Sequence, residues 1–162
     1  MNSRMCGAGM LIVSSVVIAL GHAVSAYAAA PRVIMFYGGV LSRPIILDDW
    51  SENFSFMVTT DKPITMPEKE LKDRLSIEVA FFWGQKWVQY IEEGKPLDQL
   101  DPKEAEQHGR YYPETKEGVT AVIVMDRLPY FLANQTRQRQ ISSEGIEILK
   151  KHKMRYSATA AA

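Results

Sequence analysis

Cysteine is almost missing from this chain: Cys6 is the only one in 162 residues. With a single thiol no intrachain disulfide can form, and iron–sulfur clusters and Cys-rich zinc sites, which need several thiolates, are excluded. Histidine is nearly as scarce. His22, His108 and His152 show neither H-x-x-x-H nor H-E-x-x-H spacing, so the residues suggest no metal ligand set and no cofactor. No serine stands in a G-x-S-x-G elbow or an S-x-x-K pair, and Gly38-Gly39 lacks the later glycine and lysine of a phosphate-binding loop. Nor does one charge dominate: 19 Lys and Arg balance 19 Asp and Glu, which removes the basic field that nucleic-acid binding requires.

What is present begins with an export signal. Arg4 opens a short positive segment, residues 10–20 (MLIVSSVVIAL) form an uncharged apolar core, and Ala26-Tyr27-Ala28 offers the small-x-small pattern of a cleavage site. Residues 1–28 therefore read as a signal peptide cut after Ala28, and the mature protein as periplasmic or secreted. The rival reading is a retained anchor, because residues 5–30 carry no Asp, Glu, Lys or Arg. The weakly hydrophobic second half favours cleavage, which leaves no stable transmembrane span. Cleavage also removes Cys6 and His22 and leaves 134 residues, enough for one packed domain without covalent staples.

Residues 31–156 read as a single small α+β domain with a largely antiparallel or mixed sheet and three to four short helices, and 157–162 (SATAAA) as a disordered tail. Residues 33–37 and 45–47 flank Gly38-Gly39 like a strand pair, and the alternation of Phe54, Phe56 and Val58 suggests a third strand. A polar helix is expected over 67–74. In 75–83 (LSIEVAFFW), Leu75, Ile77, Val79, Phe81 and Trp83 share one face while Ala80 and Phe82 make the other apolar too, which argues for a central strand. Residues 85–93 suit a helix ended by Gly94, and Asp101-Pro102 opens another short one. Residues 110–112 and 119–125 suit a strand pair, 127–141 a long surface loop, and Ser142 or Ser143 caps a last helix through Lys151.

Charge is unevenly spread. Residues 29–126 hold 11 basic and 17 acidic side chains, residues 127–162 hold seven and two, so Arg137, Arg139, Lys150, Lys151, Lys153 and Arg155 form a basic group that would suit an anionic envelope component or an acidic polysaccharide. A solvated face, partly neutralised within the fold, is the simpler account. Glu78, inside an apolar strand, calls for a basic partner such as Arg74 or Arg110. Asp48 and Asp49 would diverge if the backbone there is extended.

One constellation stands out for binding: Trp87 with His108, Arg110, Tyr111 and Tyr112. If the strand after Gly109 neighbours 75–83, aromatic rings would gather beside an imidazole and a guanidinium, a combination that holds a small ligand or a saccharide. Core packing of Trp87 and of one of the two tyrosines is the plainer alternative. The Asn53-Phe54-Ser55 and Asn134-Gln135-Thr136 sequons read as accidental. Three functions follow, in order: an exported, non-enzymatic binding or interaction module; a small carbohydrate-active hydrolase using scattered carboxylates; and an envelope-surface protein held by its basic C-terminal part. Protein recovered from its own cells is expected to begin at Ala29 by intact-mass and N-terminal analysis; a retained Met1 or Asn2 would contradict the cleavage.

Overall fold

A computed structural model describes residues 30–59, 62–115, 118, 120–127, 137–152 and 154. Apart from Ala30 they belong to the unit Pro31–Ala162. The expected signal peptide, residues 1–28, and the expected tail, 157–162, lie outside the described residues.

The fold is α+β. Among the described residues seven strands form one sheet in the order β2-β1-β4-β5-β6-β7-β3, where β1 is Val33–Tyr37, β2 Ile45–Leu47, β3 Lys62–Pro63, β4 Ile77–Phe82, β5 Gln107–Tyr112, β6 Val122–Met125 and β7 Gln138–Gln140. Every neighbouring pair is antiparallel. The helices among the described residues are α1 (Trp50–Thr59), α2 (Glu68–Lys72), α3 (Gln85–Glu92) and α4 (Ser143–Lys151), with 3-10 turns at Leu97–Gln99 and Pro102–Glu104.

Strand β4 behaves as its sequence implies. Ile77, Val79 and Phe81 join Ile34, Phe36, Tyr111, Ile123 and Met125 on one face, covered by Phe56 and Met57 of α1 and Leu149 of α4. Ala80 and Phe82 join Val33 and Met35 on the other, beneath Trp87 of α3 and Leu100. Each large side chain buried this way stabilises the fold by about 1.5–3 kcal/mol. Farther along the second face, Leu71 of α2 covers Tyr112 and Val122. The β1–β2 connection needs its glycines: Gly39 has φ +58°, and a Cβ there would stand 2.5 Å from the Ser76 carbonyl oxygen.

Residues 54–58 are not a strand. They lie inside α1, because Asp49 accepts hydrogen bonds from Ser51 Oγ (2.6 Å) and from the Glu52 backbone N–H (3.0 Å), which starts a helix. The buried positions are Asn53, Phe56 and Met57, at helical spacing, while Val58 is 48% exposed. Trp50 stacks on Phe54 one turn later, with ring centroids 5.3 Å apart. Asp48 and Asp49 therefore precede a helix rather than sitting in a strand. The expected surface loop 127–141 is also corrected at its end: Gln138–Gln140 forms β7, with Arg139 buried, while 128–136, including the second sequon, lie outside the described residues.

Asn53 is fully buried, and its Nδ2 donates toward the carbonyl oxygens of Pro31 (3.2 Å), Arg32 (3.0 Å) and Leu47 (3.3 Å). It ties α1 to the chain entering β1 and to the end of β2, and no glycan fits on it in the folded state. Replacing it with alanine strands these carbonyls, so Asn53→Ala is expected to lower unfolding free energy by about 2–3 kcal/mol in urea denaturation. A loss under about 0.5 kcal/mol would show that the carbonyls have other partners.

Candidate functional site

Antiparallel register places one row of side chains across five strands. Tyr37 faces Glu78, Glu78 faces Arg110, Arg110 faces Val124 and Val124 faces Gln138. The row lies on the face whose flanks are covered by α3 and the 3-10 turns on one side and by α2 on the other. Between these coverings is an open groove of about 390 Å³ lined by Glu78, His108, Arg110, Tyr112, Val124 and Asp126, to which Arg137 contributes from just before β7. Gly109 lets β5 and β6 approach there: a Cβ would stand 2.9 Å from the Val124 carbonyl oxygen.

Glu78 takes Arg110 as its partner, with Oε1 accepting from Nη2 at 3.0 Å and side chains 42% and 51% exposed. Glu78 first, and the Tyr112 hydroxyl in addition, raises the Arg110 pKa, so this guanidinium stays charged. A pair this exposed adds about 0–1 kcal/mol to stability. Burial, then the charges of Glu78 and Asp101, raises the Tyr37 pKa, keeping that phenol protonated. At the other end the His108 ring Nε2–H donates to the Pro102 carbonyl (3.0 Å), and Asp126 accepts from the backbone N–H groups of His108 (3.2 Å) and Arg127 (2.7 Å). Arg74 does not reach Glu78; its Nη2 holds the carbonyls of Pro113 (2.6 Å) and Thr120 (3.0 Å) on either side of the β5–β6 turn.

Of the five side chains singled out in the sequence, His108, Arg110 and Tyr112 come together in the groove, and Trp87 and Tyr111 do not. Tyr111 alternates to the opposite face, where its ring meets Phe36 edge-on at 5.8 Å. Trp87 is core: its ring packs on Phe82 at 4.7 Å, and its Nε1–H donates to both Glu106 oxygens at 2.9 and 3.0 Å. Glu106 also accepts from the Trp83 backbone N–H at 2.9 Å, so this carboxylate anchors the start of α3. Sequence reading missed Val124 and Asp126, and it placed Arg137 in the basic C-terminal group rather than beside Arg110; all three reach the groove through the pairing of β5 with β6 and β6 with β7.

The basic C-terminal group is dispersed. Arg139 is buried, Lys150 pairs with Glu147 at 2.7 Å and Lys151 with Glu52, and Lys153 and Arg155 lie outside the described residues. Ala28, the expected cleavage position, also lies outside them. Among the described residues no group of three or more His, Cys, Asp or Glu is arranged to hold a metal ion, and no helix is long and apolar enough to cross a membrane. No family model, curated protein or solved structure matches the chain.

A second polar cluster joins the two helices of the opposite face. Glu52 of α1 accepts from Lys151 and meets His152 Nε2 at 2.6 Å, both at the C-terminal end of α4. Hydrogen bonding to Lys151, then to His152, holds the Glu52 pKa below the usual carboxylate range. The folded state thus favours the ionised form, so the stabilisation is complete above the unfolded-state pKa and is lost as pH falls through the lower folded value. Glu52→Gln is expected to flatten the acid limb of the stability–pH curve below about pH 5 in thermal melts. An unchanged acid limb would show that the pair is not coupled to folding.

Proposed function

We propose that the protein is an exported, non-enzymatic binding module that takes an acidic saccharide chain along the open face of its sheet. The observation that carries this reading is the half-exposed Glu78–Arg110 pair in a groove that no described helix covers, with Arg137 and His108 beside it. A planar guanidinium and a carboxylate offer fixed donors and acceptors to hydroxyl and carboxylate groups. Because the groove is shallow and follows a row across several strands, it suits a chain held along its length rather than a small molecule enclosed on all sides.

The guanidinium groups support an anionic ligand. The formal charge of the groove is balanced, Glu78 and Asp126 against Arg110 and Arg137, but Glu78 is turned to Arg110 and Asp126 Oδ1 to two backbone N–H groups, while Arg137 is exposed at the rim, so the donors left facing solvent are those of the arginines. Hydrolysis is the weaker reading, since the two groove carboxylates are already committed to partners within the fold, whereas a glycosidase needs a free acid and base facing the same bond. An envelope contact through the C-terminal basic residues is weaker as well, because Arg139, Lys150 and Lys151 are buried or paired. Export rests on the leader.

The test is a calorimetric and NMR titration with an oligogalacturonate as probe. Binding is expected to move the signals of His108, Arg110 and Tyr112 and to weaken with salt, and Arg110→Ala and Arg137→Ala are each expected to weaken it about fivefold or more. Undisturbed groove signals, or cleavage of the probe, would overturn the reading.

A further inference from the structure

The two ends of the sheet are finished differently. At one end β3 is only two residues long and includes Pro63, which has no N–H to offer a neighbour. At the other end β2 pairs with β1 on one side, and among the described residues no strand lies on its outer side. A trough of about 560 Å³ runs beside it, lined by residues including Arg43, Ile45 and Ile46, with Asp98 and His152 from the layers on the two sides of the sheet. Neighbouring strands lie about 4.8 Å apart, so the trough leaves room for one more.

We infer that a second copy of this chain occupies that edge, with β2 pairing antiparallel to the partner's β2 about a two-fold axis near Ile46. The charges at the ends of β2 choose this occupant. Arg43 precedes the strand and Asp48 and Asp49 follow it, all exposed. In antiparallel self-pairing centred on Ile46, Ile45 falls opposite the partner's Leu47, and Arg43 falls beside the partner's Asp48 and the partner's Asp49. The two-fold repeats the contact, so each end carries one opposite-charge match. Pro44 has no N–H, which confines the ladder to Ile45–Leu47 and makes the dimer weak and exchanging rather than obligate. The inference goes beyond the groove reading and does not rest on it, because β2 is at the sheet edge and the groove lies over β4 to β6.

Analytical ultracentrifugation of the protein from micromolar to millimolar concentration is expected to show a monomer–dimer equilibrium that weakens as salt rises. In the unaltered protein, amide exchange is expected to slow with concentration at those of Ile45, Ile46 and Leu47 whose N–H groups point away from β1, a readout that needs no variant. Arg43→Asp and Asp48→Arg should each raise the dissociation constant roughly tenfold or more, since two attractions become repulsions. Mixed one to one, the two variants should associate again, because the reversed charges match across the pair; circular dichroism checks that each is folded. A monomer at every concentration overturns the inference. So does a dimer that ignores both reversals, a mixture that fails to recover, or exchange at β2 that does not depend on concentration.

Discussion

Strand β4 cannot be left with either face in water. Five of its six residues, Ile77, Val79, Ala80, Phe81 and Phe82, are fully buried, and they point to both sides of the sheet. Two separate coverings are therefore required, and the chain supplies them from different parts of its length: α1 and α4 over Ile77, Val79 and Phe81, and α3 with the turn residues near Leu100 over Ala80 and Phe82. This double burial explains why a small domain without disulfides has a three-layered centre, and why β1, a direct neighbour of β4, is buried at four of its five residues.

Apolar burial alone would not fix where the connections run. That is done by a few buried or half-buried polar side chains, each of which captures a main-chain group far away in sequence. Asn53 collects carbonyls from the segment entering β1 and from the end of β2, Glu106 captures the Trp83 N–H and the Trp87 indole, and Arg74 pins both sides of the β5–β6 turn. Gln138 works in the same way, its Oε1 accepting from the Met66 N–H at 2.7 Å and its Nε2 donating to the Met66 carbonyl at 3.1 Å. A side-chain amide thus imitates a strand neighbour and holds the segment between β3 and α2 against the sheet.

What the sequence disclosed follows from these two kinds of interaction. The strand at 75–83, the glycine turn after β1, the cap of α4 by Ser142, whose Oγ accepts from Gly145 N–H at 3.1 Å, and the helix ended by Gly94 are local patterns, readable without knowing their neighbours. Helix α1 was hidden because Phe54, Phe56 and Val58 alternate by coincidence, while its true inward face, Asn53 with Phe56 and Met57, includes a polar residue whose partners lie 22 and 21 positions away. Strand β7 was hidden for a similar reason. Its residues, Gln138, Arg139 and Gln140, carry no apolar signal and are recruited by pairing with Val124, Ile123 and Val122. At the groove, period two alone separates His108, Arg110 and Tyr112 from Tyr111, and amphipathic spacing assigns Trp87 to the core. Asp126 and Arg137 become neighbours of Arg110 only once the register is known.

The groove itself is a consequence of how the coverings divide. Helix α3 is eight residues long and α2 five, and each follows a different strand, so they shelter opposite flanks of the second face without meeting. An apolar row between them would be a liability in water, and the positions at its centre are instead Glu78 and Arg110, one on each of two adjacent strands in direct register. Cross-strand opposite charges satisfy one another where no helix among the described residues reaches, and the pair stays half exposed. The feature that keeps the uncovered strip soluble is also the one that gives it fixed donors and acceptors. A sheet face that needed only solubility would be served by any scattered charges. This one sets a guanidinium and a carboxylate side by side, fastens His108 and Asp126 at one end through hydrogen bonds to the main chain, and adds Arg137 from a third strand's approach. Held in that way, Glu78, Arg110, His108 and Asp126 would lose little freedom to a ligand, which is what the proposed binding requires.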